Sequence, residues 1–428
     1  MTVKLAIIGA GPAGCMLARL LLVANAPIEI TIFEGEKSID FRSQGGTLDL
    51  HTESGIAALK EAGLYEEFLK HARFEGEAFR LCDKKLTTYF RHPGTSTEKN
   101  SVGRPEIDRS QLRSLLLHSI PEDIIRWGYR LRRVDDEDHS LHFDNGRVER
   151  GFDLIVGADG AWSKVRNLLS QEKPHYSGVA GHSLMIPNAK ETSPATYERV
   201  DRGSLFAFSD GKVIMGQQMG DGSINVYAWS VRDEDWMQNS GYDVNDGAAA
   251  KRAIREEFAD WAPELVRFTQ DADDRTVVPR SLYMLPVGFR WTHRPGVTLL
   301  GDAAHLMTPF AGEGVNLALE DAVKLSRAIV QGLKDDDDNN NNNDNNNIDN
   351  DALDASIAAY EEDMFRRATR TQQLTYDSMQ RMLFAEGAPR STIASIVAEM
   401  GAANAPGWLR PLVTASIHSF YFFYNMFV

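Results

Sequence analysis

Cysteine is nearly absent from this chain: among 428 residues only Cys15 and Cys82 carry a thiol. Two thiols exclude a disulfide framework and a Cys-based metal site, all the more because Cys15 lies inside a glycine-rich helix start, and they point to a reducing, cytoplasmic setting. Cations are in deficit as well. Lys and Arg number 46 against 61 Asp and Glu, a formal charge of -15, which excludes the clustered basic surface that nucleic acid requires and favours a small organic ligand. Unbroken apolar runs are also missing. The most aromatic stretch, Gly407 to Val428, is interrupted by Arg410, Pro411, His418 and Asn425 and falls short of the ~20 apolar residues that span a bilayer. It reads as a helix packed on the protein, with a membrane-surface contact, a subunit contact or an anchor as alternatives. The N-terminus lacks a basic start followed by a separate apolar stretch, so no secretion signal is expected and folding is expected from residue 1. What is present, 43% hydrophobic and 25% charged residues, suffices for a large core divided over two or three domains.

Periodicity sets the organisation. Leu5 to Ile8 reads as a strand, Cys15 to Ala24 as a helix and Ile28 to Phe33 as a second strand, a βαβ unit. A helix is expected from about Asp108 through Leu112, Leu115 and Leu116, then short strands near Ile124 to Trp127, Leu131 to Asp135 and Leu141 to Phe143, with Asp144-Asn145-Gly146 as a hairpin signal. Phe152 to Val156 and Val297 to Leu300 read as further buried strands, and a helix is expected from about Val315. Between Tyr176 and about Leu285 the pattern turns to alternating strands with Gly-Asp turns and one helix near Ala248 to Phe258, a separate sheet inserted into the first domain. Lys334 to Asp351 is a run of Asp and Asn with almost nothing to bury, expected to be a disordered loop. The fold class is therefore α/β: a Rossmann-like dinucleotide-binding domain (residues 1–72, 102–177 and 286–333), an inserted mostly β substrate domain (73–101 and 178–285), the loop 334–351, and C-terminal helices over 352–428.

Gly9-Ala10-Gly11-Pro12-Ala13-Gly14 follows a strand and opens a helix. In that context Gly9 permits the turn, Gly11 lets a diphosphate approach the backbone, Gly14 lets helix and sheet lie close, and the helix N-terminus offers free N–H groups. Glu34, ending the second strand, stands where a carboxylate accepts from ribose hydroxyls. A glycine turn without ligand is the alternative, and the turn alone does not separate FAD from NAD. Two later stretches point to FAD. Asp159-Gly160 ends one buried strand and Gly301-Asp302 another, and Gly312, Gly314 and Asn316 form a glycine-rich helix start. Asp302 can take a ribityl hydroxyl while the N–H groups from Gly312 to Asn316 meet the carbonyl edge of a flavin. Each piece alone could be a capped helix entry. Arg109 and Arg113, four apart, share a helix face suited to a diphosphate or simply to solvent. His305 shows no partner and reads as a packing or capping residue.

These motifs together resemble the aromatic-ring flavin monooxygenases of the para-hydroxybenzoate hydroxylase type over nearly the whole chain. Within that group the chain looks closest to the tetracycline-inactivating enzymes, through Gly45 to His51 (GGTLDLH), Pro105 to Arg109 with Leu112-Arg113, Ser163 to Arg166 (SKVR) and Gly301 to Met307 (GDAAHLM). The resemblance implies that Asp49, Arg109 and Asp302 contact FAD, that Arg113 shares the anion held by Arg109, and that Arg42 meets NADPH or NADH. It implies that the reduced flavin adds O2 at its C4a carbon and passes one oxygen to an electron-rich ring, so that the cofactor performs the chemistry and no catalytic side chain or metal is required. A substrate pocket is expected from the inserted sheet domain facing the flavin. There Phe310 matches a pocket aromatic of the tetracycline enzymes. Met215 and Ser183 replace their aromatic and glutamine, their substrate-facing arginine has no counterpart, and Gly35 follows Glu34 where they have arginine. The expected substrate is thus an aromatic, phenolic or polyketide-like small molecule. A flavin dehydrogenase, oxidase or halogenase on the same scaffold and a non-catalytic flavin-binding protein are the rival readings, and the Trp-x-Trp-x-Ile-Pro run of flavin halogenases is missing.

Overall fold

A computed structural model describes residues 2–38, 45–94, 104–340, 351–403 and 406–427. It divides into two compact units, one of residues 1–72, 107–175 and 283–375, the other of 73–106, 176–282 and 376–428. The C-terminal stretch, expected as a piece of its own, is thereby shared between them.

The first unit is built on a five-stranded sheet in the order Val297–Leu299, Leu154–Gly157, Val3–Ile8, Ile28–Glu34, Ile125–Trp127. Every neighbouring pair runs parallel, and Val3–Ile8 is almost entirely buried, as continuous Ile, Leu and Val demand of a sheet covered on both faces. The register puts Ile8 beside both Phe33 and Gly157, and Gly157 beside Leu299. Three strands far apart in sequence therefore end level with one another. The helix Pro12–Val23 has Gly11 as its N-cap and proline in its first turn, where a missing N–H costs nothing. It buries Leu17, Leu20 and Leu21 and packs against the long helix Gly314–Asn340. The helix Asp351–Met379 closes over the edge strand: the Tyr360 hydroxyl donates to the Leu299 carbonyl at 3.1 Å and the Thr298 hydroxyl to Glu361 at 2.8 Å.

Residues 334–340, expected to begin a disordered loop, continue the Gly314–Asn340 helix. Residues 341–350 lie outside the described residues. Extending a helix already anchored by buried Leu325, Ile329 and Leu333 fixes one residue per hydrogen bond gained, so polar residues with nothing to bury can follow it.

The second unit carries a seven-stranded sheet, ordered Val278–Met284, His175–Ile186, Ile224–Val231, Lys212–Gln218, Ser204–Ser209, Phe79–Cys82, Thr88–His92. One face is packed beneath the helices Gly247–Glu257 and Pro263–Gln270 through Leu184, Val226 and Leu205. Residues directly opposite one another share a face, so Ser183, Tyr227, Met215, Phe206 and Leu81 form one continuous row on the other face. The aromatic C-terminal stretch forms the helix Arg410–Phe427. The Tyr421 hydroxyl donates to the Tyr89 carbonyl at 2.7 Å and the Tyr424 hydroxyl to that of Thr88 at 2.9 Å, while Trp408, Leu412, Phe420, Phe422 and Phe423 stay exposed. Among the described residues no helix is long and apolar enough to cross a membrane. Both thiols are buried, and burial pushes each up to about 12.

Candidate functional site

The level strand ends decide where the predicted residues meet. Beyond Ile8 comes Gly9, beyond Gly157 come Ala158 and Asp159, and beyond Leu299 come Gly301 and Asp302; Glu34 closes the adjacent strand. All stand at the carboxyl edge of one parallel sheet, where open α/β sheets bind ligands. The Gly9 N–H donates to the Phe33 carbonyl at 2.8 Å and the Ala158 N–H to that of Ile8 at 2.8 Å, so the ladder carries on into the turns.

The three glycines of the turn have distinct reasons. Gly9 has a φ of +110°, and a Cβ there would lie 2.4 Å from the Ala158 carbonyl oxygen; at Gly14 a Cβ would lie 2.2 Å from the Gly9 carbonyl oxygen. Both are needed for the protein's own packing. A Cβ at Gly11 would meet nothing within 4 Å, and its φ of -77° suits any residue. Glycine at that position is explained by a group that approaches the helix N-terminus from outside.

Glu34 is held in place by two backbone N–H groups, Ala10 donating to Oε2 at 2.7 Å and Glu36 to Oε1 at 2.8 Å. Each oxygen keeps a lone pair for a hydroxyl. Asp159 accepts from the Lys164 N–H at 2.7 Å through Oδ2, while its buried Oδ1 has no partner among the described residues. Burial pushes this carboxyl above the usual range. An orphaned buried oxygen at a sheet edge is an acceptor waiting for a donor. Asp302 is exposed at the start of the short helix Asp302–His305.

Beneath Asp302 lies a buried charge network that the sequence did not reveal. Asp321 accepts from the Gly301 N–H at 3.1 Å and from Arg367 at 2.8 Å, and lies 2.6 Å from His305 Nε2. His305 is thus a buried structural residue whose partner sits 16 positions downstream. Although burial alone would raise the Asp321 carboxyl, His305 and Arg367 together hold it low.

A second meeting of distant segments surrounds Asp49. A Cβ at Gly312, which ends the turn Pro309–Ala311, would lie 3.3 Å from Asp49 Oδ1. Buried Asn316, two residues into the helix opened by Gly314, donates to the Asp49 carbonyl at 2.9 Å and accepts from the His51 N–H at 2.9 Å. Its side chain is therefore a clamp within the protein. His51 lies between Asp49 and Glu313, with Nε2 3.1 Å and Nδ1 3.4 Å from their oxygens. Neither His51 nor Glu313 was singled out from sequence; the Asp49-x-His51 spacing was the one available signal.

The arginine pair is not brought together as expected. Arg109 is exposed on the helix Arg109–His118, but Arg113 is buried and held by Glu36 at 2.5 Å. Its guanidinium serves the protein, because a buried arginine must be paired, and only Arg109 stands open to an outside anion. Arg42 lies outside the described residues. Phe310 is half-buried in the turn Pro309–Ala311, and Met215 sits buried at the centre of the row Ser183, Tyr227, Met215, Phe206, Leu81 on the second unit's sheet.

This edge fits FAD: an open approach at Gly11, an unpartnered acceptor on Asp159, exposed Asp302 and Arg109, and a second helix N-terminus at Gly314. The profile of an FAD binding domain family, that of the para-hydroxybenzoate hydroxylase type, matches residues 2–341. The chain belongs to this family. It is similar to the monooxygenase penA of Penicillium thymicola, 31% identical over 88% of this chain and 94% of that protein. Among solved structures it is similar in fold to Klebsiella pneumoniae HpxO complexed with FAD and uric acid, with a TM-score of 0.71 and 18% identity over 97% of each chain. It is also similar in fold to the tetracycline destructase Tet(51), with a TM-score of 0.63 and 17% identity over 97% of each chain. The chain is an FAD-dependent monooxygenase.

Proposed function

We propose that this monooxygenase uses NADPH or NADH and O2 to hydroxylate an aromatic, phenolic or polyketide-like small molecule. The observation that carries the reading is the row Ser183, Tyr227, Met215, Phe206 on one face of the second unit's sheet. Two aromatic rings and a thioether in register offer a flat, polarizable surface for a planar ring, and the hydroxyls of Ser183 and Tyr227 offer polar handles at one end. The complex of HpxO with uric acid supports a planar heteroaromatic ligand for this fold.

Bound FAD supplies electron transfer and oxygen activation. The protein's own residues bind and orient: Gly11 and the Pro12–Val23 helix start take the diphosphate, Glu34 the adenosine ribose, Asp302 the ribityl chain, Arg109 and Asp49 further cofactor contacts, and the N–H groups from Gly312 to Asn316 the flavin carbonyl edge. Phe310 and Met215 contact substrate, and Arg42 meets the nicotinamide nucleotide. Asp159, whose Oδ2 caps the Lys164 turn, keeps Oδ1 as an acceptor for the cofactor, and Arg113, committed to Glu36, supports that arrangement from within. The test is a screen of aromatic and polyketide compounds, tetracyclines among them, for stimulated NADPH oxidation, with 18O2 incorporation read by mass spectrometry. Substrate-dependent incorporation of one labelled oxygen is expected. Stimulated oxidation that yields only H2O2 with every compound would overturn the proposal.

A further inference from the structure

We propose that His51 is a positioning residue for the cofactor: a charged imidazolium that fastens Asp49, at the end of the strand Thr47–Asp49, to Glu313, in the turn that opens the Gly314–Asn340 helix. The inference rests on the reading that FAD binds at this sheet edge, with Asp49 and the residues from Gly312 to Asn316 among its contacts.

The geometry requires the charge. Nε2 of His51 lies 3.1 Å from Asp49 Oδ2, and Nδ1 lies 3.4 Å from Glu313 Oε2. A neutral imidazole has one N–H and one lone pair, so in either tautomer it would turn a lone pair toward a carboxylate. Only the doubly protonated ring donates on both sides. The ring is also sheltered, since the His51 side chain is 14% exposed and that of Glu313 24%, which keeps this contact partly out of solvent screening, while the Asp49 side chain, 37% exposed, is the more open partner. Burial opposes the charged ring, but the hydrogen bonds to Asp49 and Glu313 outweigh it and raise His51 to about 9.

The two segments joined in this way lie more than 260 positions apart, and two of the fasteners that hold them together meet at Asp49 and His51. Asn316 forms one, donating to the Asp49 carbonyl and accepting from the His51 N–H. An amide does not titrate, so that fastener is indifferent to pH. His51 forms the other, and it fails when the ring loses its second proton. Near neutral pH both hold, so Asp49 and the helix start share one geometry and the cofactor meets a preorganised edge. At alkaline pH one contact turns from attraction to lone-pair repulsion while Asn316 still keeps the segments together. The protein should stay folded and grip FAD less well.

The test follows FAD binding by flavin fluorescence, with the visible flavin spectrum in parallel, on wild type, His51→Gln and Glu313→Gln from about pH 6 to about pH 10. Wild type is expected to bind tightly at neutral pH and to weaken by about tenfold or more through a transition centred on about pH 9. His51→Gln should bind about tenfold more weakly at neutral pH and lose the alkaline transition. Glu313→Gln, which leaves the ring one carboxylate, should keep the transition but move it to lower pH. Circular dichroism and a thermal melt establish that each variant is folded, and Glu313→Gln carries the test if His51→Gln does not fold. A folded His51→Gln protein with wild-type affinity and an unchanged alkaline transition overturns the role of His51 alone. Wild-type protein that binds no FAD at any pH overturns this inference together with the reading it rests on.

Discussion

At the scale of single residues, the glycine turn separates two demands that the GxGxxG pattern merges. Gly14 serves packing, because its Cα lies against the Gly9 carbonyl; Gly11 serves only what approaches from outside. Gly14→Ala should therefore lower stability by ~1–3 kcal/mol as an overpacked contact, read as a shifted urea midpoint. Gly11→Ala should leave that midpoint within ~0.5 kcal/mol of wild type and weaken FAD binding by about tenfold or more. Equal effects of both substitutions on stability would contradict the division. The turn itself was readable from the sequence, because strand, turn and helix start lie within twelve consecutive residues and Gly14 acts on its near neighbour Gly9, although the carbonyl that crowds Gly9 is that of distant Ala158. Pairings across long stretches were not. Glu36 with Arg113 spans 77 positions, and nothing in either neighbourhood marks the other. Four-residue spacing put Arg109 and Arg113 on one helix face, but spacing cannot tell which of two such side chains a carboxylate from elsewhere will draw inward.

At the scale of elements, strand ends were legible because a buried strand must stop where glycine and aspartate begin, and the parallel register then levels them. The support beneath the Gly301-Asp302 turn was not, since Asp321 reads as one more acidic residue on an amphipathic helix. That buried carboxylate joins three elements: the Gly301 turn, His305 of the following short helix, and Arg367 of the Asp351–Met379 helix. Removing its charge leaves Arg367 partly unpaired in the interior, although Asp363 still accepts from its Nε at 2.8 Å. Asp321→Asn should cost ~3 kcal/mol or more, measured by chemical denaturation, and should lower FAD affinity by loosening Asp302. A variant as stable as wild type would show that the network is incidental. Of the sheet row Ser183, Tyr227, Met215, Phe206, the family resemblance marked Met215 and Ser183, but Tyr227 and Phe206 join them only once the strand register places Tyr227 between the two and Phe206 beside Met215.

At the scale of the whole molecule, two histidines, one in each unit, contribute to opposite limbs of stability against pH, beside His293, which Glu361 and Asp354 raise against its burial, and His139, which burial lowers. His51 is raised to about 9 in the folded first unit from an unfolded value of ~6.5. Its contribution is complete below the unfolded value and is lost as pH rises through about 9. His182, fully buried in the second unit against Trp236 and Tyr242, is lowered by burial to about 4. The unfolded chain takes up a proton there that the folded unit refuses, so stability falls as pH drops below ~6.5 toward about 4. Thermal melts across this range should show a maximum near neutral pH. His51→Gln should flatten the alkaline limb only and His182→Phe the acid limb only. Loss of both limbs in either single variant would contradict the assignment.

The level ends of the parallel strands carry a consequence for how the protein comes into being. Val3–Ile8 leaves the ribosome first, its neighbour Leu154–Gly157 follows some 150 residues later, and the edge strand Val297–Leu299 comes roughly 290 residues after the first. The helix start at Gly314 is later still. Parallel pairing over such distances pays the loop-closure entropy before any contact rewards it, and folding of this kind is slow and exposes unpaired edges. During synthesis the glycine turn exists as a half-built cradle whose other walls are still unmade. Until the Gly312 to Asn316 turn has been made, roughly 300 residues after the glycine turn, a ligand held by both would find only one of its two helix starts.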